Sequence, residues 1–131
     1  MSSLKQVEYW CDLAKYDMET AKAMLETERF LYVGFMCHQV IEKALKAFYS
    51  FKKNEAPPYI HNLLTLAEKA ELYKQMSESQ KDFLDFLTPL NIEARYPMVK
   101  DRLLNLLNKK KCVEVINQTE EALQWIIKKL S

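Results

Sequence analysis

Glycine, proline and long apolar runs are all scarce in this chain, and each scarcity excludes a class of protein. Of its 131 residues one is glycine and four are proline, whereas 49% are hydrophobic. This composition excludes a disordered chain and a turn-rich β-fold. No apolar run approaches the roughly 20 residues that a membrane-spanning helix needs. We therefore expect no membrane contact and a cytoplasmic protein.

Cysteine is also scarce, and its positions do not suggest pairing. Cys11, Cys37 and Cys112 lie far apart at apolar helical positions, without a CxxC motif. Reduced structural cysteines usually lie at such positions. A structural zinc site needs four ligands at suitable spacings, so three scattered cysteines and two histidines predict no metal. We expect no cofactor.

A strong basic excess is lacking as well. The chain has 19 Lys and Arg against 18 Asp and Glu, a formal net charge of +1. Nucleic-acid affinity that is independent of sequence comes mostly from neutralising phosphates. We therefore expect no DNA binding, and any RNA contact would depend on local patches such as Lys109–Lys111 or Lys128-Lys129. The alternative interpretation is that both patches are solvated helix ends.

What the sequence does contain is the apolar periodicity of helices. The first predicted helix runs from about Leu4 to Thr27, and a second follows from Phe30 to the region of Phe51. Asn54–Ile60 is predicted to be a loop. A third helix is predicted over Leu63–Tyr73, with His61 or Asn62 as its N-cap. A fourth helix starts after Ser77, where Ser77 and Gln80 form a capping box. Arg95-Tyr96-Pro97 should be a connector, Leu103–Leu107 a short turn, and the last helix carries Cys112 to Leu130.

These helices predict one domain over residues 1–131, an all-α antiparallel up-and-down bundle of four to five main helices. The second helix has two apolar stripes, one through Cys37 and Ile41 and the other through Val33 and Val40. A helix with two apolar faces is covered on two sides. The second cover is either the remaining helices or another protomer, and we expect a homodimer. Five aromatic residues are expected in the core: Trp10, Phe48, Phe51, Phe83 and Phe86.

Five pieces of the sequence carry a family resemblance. They lie within Leu13–Glu26, Gln39–Ala47, Pro58–Leu66, Arg95–Pro97 and Glu121–Ile126. In this order they resemble the HEPN domain (higher eukaryotes and prokaryotes nucleotide-binding). The resemblance implies a helical bundle that binds nucleotide or RNA. It also implies a protein partner, a separately encoded minimal nucleotidyltransferase, as in toxin–antitoxin pairs.

Many HEPN proteins resemble metal-independent ribonucleases, in which an Arg is followed after four to six residues by a His. Such a pair could move a proton at a 2′-hydroxyl and stabilise charge on the phosphate. Here Arg95 is present but no histidine follows it; His38 and His61 both lie upstream. An endoribonuclease toxin using Arg95 with a displaced histidine, His61 before His38, is therefore one alternative. A non-catalytic dimeric interaction module is the other, and whether the chain is an enzyme stays open.

Four residues form the predicted ligand site: Arg95, Tyr96, His61 and Lys46. Arg95 would contact phosphate, and Tyr96 would offer an aromatic face to a base. His61 and Lys46 would line the same groove.

Each of these residues also has a structural interpretation. Arg95 could pair with Glu93 or Asp101, and Tyr96 could pack on Pro97 or Trp125. His61 could cap a helix or fix the loop, and Lys46 could be solvated. His38 is expected to be a core histidine.

Overall fold

The computed structural model describes residues 2–91 and 97–130, with side chains for residues 4–91 and 100–130. Arg95 and Tyr96 lie outside the described residues. The described part is all-α and contains no strand, which confirms the predicted fold class. Its six helices are α1 (Ser2–Glu26), α2 (Phe30–Lys53), α3 (Leu63–Lys69), α4 (Glu78–Leu87), α5 (Pro97–Leu106) and α6 (Lys109–Lys128). Two 3-10 turns lie at Tyr73–Gln75 and Thr88–Asn91.

Helix α2 is the centre of the bundle. A tight turn sends the chain back from α1 to α2, and α6 packs along both helices. The core between them is built from the apolar stripes of each helix, including Ala14 and Met18 of α1, Ile41 and Leu45 of α2, and Leu123 of α6. These stripes follow the periodicity that the sequence predicts.

Both apolar stripes of α2 are buried within a single protomer. Cys37 and Ile41 on one stripe and Val33 and Val40 on the other are all 0% exposed. The covers come from the chain itself, since α2 packs against α1, α3, α5, α6 and the turn at Thr88–Asn91. The two-faced pattern is therefore explained without a second protomer, and the homodimer stays a prediction.

The chain's one glycine permits a close helix contact. A Cβ added at Gly34 of α2 would lie 2.9 Å from Leu107 Cδ1 and 3.1 Å from Leu90 Cδ1. Both leucines are buried. Gly34 therefore lets the segments on either side of residues 92–96 pack directly on the backbone of α2.

With so few glycines, the left-handed turns use other residues. Glu28, Asn54 and Glu71 have φ angles of 60°, 57° and 62°. Glu71 follows the end of α3, which stops at Lys69 rather than at Tyr73. The prediction of a longer third helix was wrong because the left-handed residue is a glutamate, which gives no signal in the sequence.

The prediction for the segment after Pro97 also needs correction. The sequence places Pro97 in a connector and predicts only a short turn later, yet α5 begins at Pro97 and runs to Leu106. Proline fits the first turn of a helix because its missing N–H has no intrahelical acceptor there. By contrast, the predicted capping box of Ser77 and Gln80 at the start of α4 is confirmed.

One of the five aromatic residues assigned to the core is exposed. Phe48 and Phe83 are buried, and Trp10 and Phe86 are half-buried, but Phe51 is 46% exposed. The last turn of α2 lies at the edge of the bundle, since Lys52, Lys53 and residues 54–56 are exposed too. Periodicity alone does not show where the covering helices end.

Across residues 2–91 and 97–130, no helix combines the length and the apolar character needed to span a bilayer.

Candidate functional site

Helix α2 carries a row of buried polar side chains on one face. His38, Glu42 and Lys46 are spaced four residues apart, so they lie above one another. As whole residues they are 0%, 4% and 6% exposed. The loop between α2 and α3 adds His61. We call these four residues the Glu42 cluster.

The carboxylate of Glu42 holds the cluster together. Its Oε1 accepts a hydrogen bond from His61 Nδ1 at 3.0 Å, and its Oε2 accepts one from Lys46 Nζ at 3.0 Å. The ammonium of Lys46 also lies 5.2 Å from the centroid of the Trp10 ring. A buried charge is tolerated when it is paired and hydrogen-bonded, and Glu42 meets both conditions.

His61 is the member of the cluster that faces solvent. Its side chain is 62% exposed, whereas that of Glu42 is 5% exposed. Since the Nδ1–H group donates its hydrogen bond to Glu42, Nε2 is the ring nitrogen left to meet a ligand. Nε2 can donate to a phosphate oxygen when it carries a hydrogen and can act as a base when it does not. The cluster therefore presents one oriented imidazole at the surface, backed by a buried carboxylate.

His38 holds the loop between α2 and α3 from the buried side. Its Nε2 donates to the backbone carbonyl of His61 at 3.0 Å, because a carbonyl can only accept. His38 Nδ1 then lacks a hydrogen and has no hydrogen-bond partner among the described residues, although Glu42 Oε1 lies 3.7 Å away. The expectation that His38 is a core histidine is confirmed.

Burial lowers the pKa of His38 below its ordinary value, and the nearby charge of Glu42 only partly offsets this effect. The unfolded chain therefore takes up a proton at His38 below about pH 6.5, while the native protein resists it. We expect stability to fall as the pH falls through that value, by at most about 1.4 kcal/mol per pH unit from this group.

Urea denaturation at about pH 7.5 and about pH 5.5 measures this loss. The control is His38→Gln, which keeps a donor towards the His61 carbonyl but cannot titrate. The variant should lose less stability between the two pH values than the wild type. An equal loss in both proteins would show that His38 does not cause the pH dependence.

Two further contacts hold polar residues of α2 beside the cluster. Gln39 Nε2 donates to Asn91 Oδ1 at 2.9 Å, and Lys43 forms an ion pair with Asp17 of α1. Gln39 precedes Glu42 by three residues, so both side chains lie within one turn of α2. Asn91 is the last described residue before the segment that contains Arg95. The polar residues around Glu42 thus find their partners inside one chain.

Two of the four predicted site residues are brought together by the structure. His61 and Lys46 bind the two oxygens of the same carboxylate. Lys46 is engaged by Glu42 and nearly buried. Asn62, not His61, caps α3 by accepting from the Thr65 N–H. His61 bonds to Glu42, which agrees with its loop-fixing interpretation, and its role as a ligand stays a prediction.

Glu42 is a residue of the candidate site that was not predicted from the sequence. The signal for it was present as a histidine, a glutamate and a lysine at four-residue spacing among apolar neighbours. Polar side chains at that spacing on a central helix must satisfy one another or reach a loop.

Within the described ranges, no group of three or more His, Cys, Asp and Glu side chains is arranged to hold a metal ion. The chemistry available at the cluster is that of two imidazoles, a carboxylate and the ammonium of Lys46. Such groups can bind an anion or transfer a proton.

Comparison with known proteins gives three findings. The family model of the HEPN domain matches residues 7–130. The crystal structure of TT1696 from Thermus thermophilus is similar in fold, with a TM-score of 0.80 and 18% sequence identity over 95% of this chain and 98% of that chain. No curated protein matches the sequence significantly. Because the family model covers nearly the whole chain, this protein belongs to the HEPN domain family.

Proposed function

We propose that this protein binds a nucleotide or RNA through its phosphate, at the surface where the Glu42 cluster presents His61. The observation that carries the proposal is the bond between His61 Nδ1 and buried Glu42, which fixes an otherwise exposed imidazole. An exposed histidine without such a bond would lose side-chain conformational entropy on binding. The side chain of His61 is already ordered by its bond to Glu42 before a ligand binds.

Arg95 is the proposed second ligand of the phosphate. Its position lies outside the described residues. Asn91, however, is hydrogen-bonded to Gln39, and Gln39 lies within one helical turn of Glu42. Arg95 follows four residues later in the sequence. A guanidinium can bind two phosphate oxygens at once, and in this proposal Tyr96 adds an aromatic face. Lys46 supports the site mainly by holding the second oxygen of Glu42.

Binding of a short single-stranded RNA, labelled and followed by fluorescence anisotropy in EDTA, tests the proposal. We expect His61→Ala and Arg95→Ala each to weaken binding about tenfold, the effect of about 1.4 kcal/mol. Measured between about 50 and about 200 mM salt, Arg95→Ala should also reduce the salt dependence, since each phosphate contact contributes to it.

Lys22→Ala is the matched control. Lys22 is a half-exposed cation on α1 whose Nζ lies 3.0 Å from Glu120 of α6. Its loss should leave the affinity for RNA unchanged. If the wild type does not bind, or if Lys22→Ala weakens binding as much as Arg95→Ala, the proposed site is wrong.

A metal-independent endoribonuclease is the second candidate function, and the Glu42–His61 contact favours it. A carboxylate that holds Nδ1 leaves Nε2 oriented as a general base. In this mechanism Nε2 takes the proton of a 2′-hydroxyl, the 2′-oxygen bonds to phosphorus, and the bond to the 5′-oxygen breaks. The leaving 5′-oxygen takes a proton from a water molecule, the His61 imidazolium returns its proton to the hydroxide so formed, and Arg95 stabilises the charge on the phosphate. RNA cleavage in EDTA that is lost in both Arg95→Ala and His61→Ala would support this function, and an inactive wild type would exclude it for the isolated protein.

Association with other chains is also proposed. Leu4, Tyr9 and Tyr16 of α1 are 58%, 59% and 71% exposed, and Tyr9 and Tyr16 lie two turns apart on one face. We propose this face as the contact of a homodimer. The family resemblance suggests a minimal nucleotidyltransferase as a further partner, as in toxin–antitoxin pairs.

Light scattering tests the homodimer, and it should give the mass of a dimer for the wild type and of a monomer for Tyr16→Asp. A monomeric wild type would contradict the homodimer.

A further inference from the structure

Tyr59 is the most exposed large apolar side chain of the described residues. Its exposure is 97%, against 71% for Tyr16, the next highest. A single exposed aromatic residue is common on protein surfaces and needs no explanation by itself. The surroundings of Tyr59 set it apart.

The backbone on both sides of Tyr59 is held in place. Pro57 and Pro58 restrict the chain before it. The Ile60 N–H donates to the Pro58 carbonyl at 3.0 Å, which closes a tight turn around Tyr59, and Ile60 packs against the core. The ring therefore stands on a fixed turn rather than on a mobile loop tip.

Tyr59 is also close to His61, the residue proposed to bind the phosphate. Tyr59 lies two positions before His61, with only Ile60 between them, so their Cα atoms are at most about 7 Å apart. His61 is held by its side chain at Glu42 and by its carbonyl at His38. The loop thus carries an exposed aromatic ring two positions before an oriented imidazole.

We propose that Tyr59 stacks on a base of the ligand whose phosphate lies at His61. This inference rests on the proposed function and narrows its ligand class to nucleotides and single-stranded RNA. Every base offers a π-face to an aromatic ring, whereas the bases of duplex RNA are stacked on one another and are not available. The ring is solvated in the free protein, so stacking removes apolar surface from water on both partners.

Two probes separate the base from the phosphate: adenosine 5′-monophosphate and ribose 5-phosphate, each titrated by calorimetry. We expect Tyr59→Ala to weaken binding of the mononucleotide about 5-fold to 150-fold, the range of stacking on one base. Ribose 5-phosphate should bind wild type and Tyr59→Ala equally. Tyr59→Phe should keep the wild-type affinity because it keeps the ring.

Tyr32→Ala is the control, since Tyr32 is 55% exposed at the start of α2 and should not affect either probe. If Tyr59→Ala leaves mononucleotide binding unchanged, or weakens both probes equally, the stacking role is wrong while the phosphate site stands. If neither probe binds to the wild type, nucleotide binding and the stacking role both fail, and the phosphate site fails as well if single-stranded RNA does not bind.

Discussion

Replacing Glu42 by methionine is expected to lower the free energy of unfolding by about 3 kcal/mol, a large share of the stability of a small domain. The side chain of Lys46 is 8% exposed and its ammonium lies 3.0 Å from Glu42 Oε2. Methionine fills a similar volume but leaves that ammonium buried without a counterion. Urea denaturation measures the loss.

Glu120→Met is the matched control for this prediction. Glu120 also lies 3.0 Å from a lysine, Lys22, but the two side chains are 38% and 42% exposed. An exposed pair contributes about 0 to 1 kcal/mol, so Glu120→Met should be mild.

The double variant Glu42→Met/Lys46→Met should recover most of the loss, because an apolar pair replaces a buried ion pair at little cost. Similar losses for Glu42→Met and Glu120→Met would show that burial of the cluster does not determine its energetics.

Replacing Ile41 by aspartate is expected to unfold the protein or to destabilise it by more than about 4 kcal/mol. Ile41 is 0% exposed inside a single protomer, on the central helix. The substitution removes an apolar side chain and places a carboxylate among apolar neighbours. Because the site is internal to the chain, the expected result is loss of the helical circular dichroism signal.

Val113→Asp is the comparison for that loss. Val113 is 39% exposed on α6, and a carboxylate there remains in water, so we expect a change within about 0.5 kcal/mol. A folded Ile41→Asp monomer would contradict the packing described here. It would mean that Ile41 lies between protomers rather than in the core of one chain.

The helices could be predicted from the sequence because their signals are local. Apolar residues in steps of three and four define α1, α2 and α6, and Ser77 with Gln80 marks the start of α4. Such patterns depend on a few neighbouring residues. The same local signals failed where a residue has two uses, as at Pro97, which can end a helix or begin one.

The candidate site was harder to predict because it is made by contacts between distant residues. Glu42 and His61 are 19 positions apart, and their contact depends on the path of a loop that periodicity does not describe. The position of Gly34 against Leu90 and Leu107 is another long-range feature. The sequence therefore indicated His61 and Lys46 as site residues but not the carboxylate that joins them.

The measurement that tests the central claim most directly is a titration of the protein with a ribonucleotide, monitored by nuclear magnetic resonance of its ¹⁵N-labelled histidine imidazoles. The chain has two histidines, and His38, the buried histidine of the cluster, serves as the internal reference. As a ribonucleotide is added, the Nε2 resonance of His61 should shift until it saturates, while the resonances of His38 move little. Unchanged His61 resonances at a saturating concentration of a nucleotide would contradict a phosphate site at the Glu42 cluster.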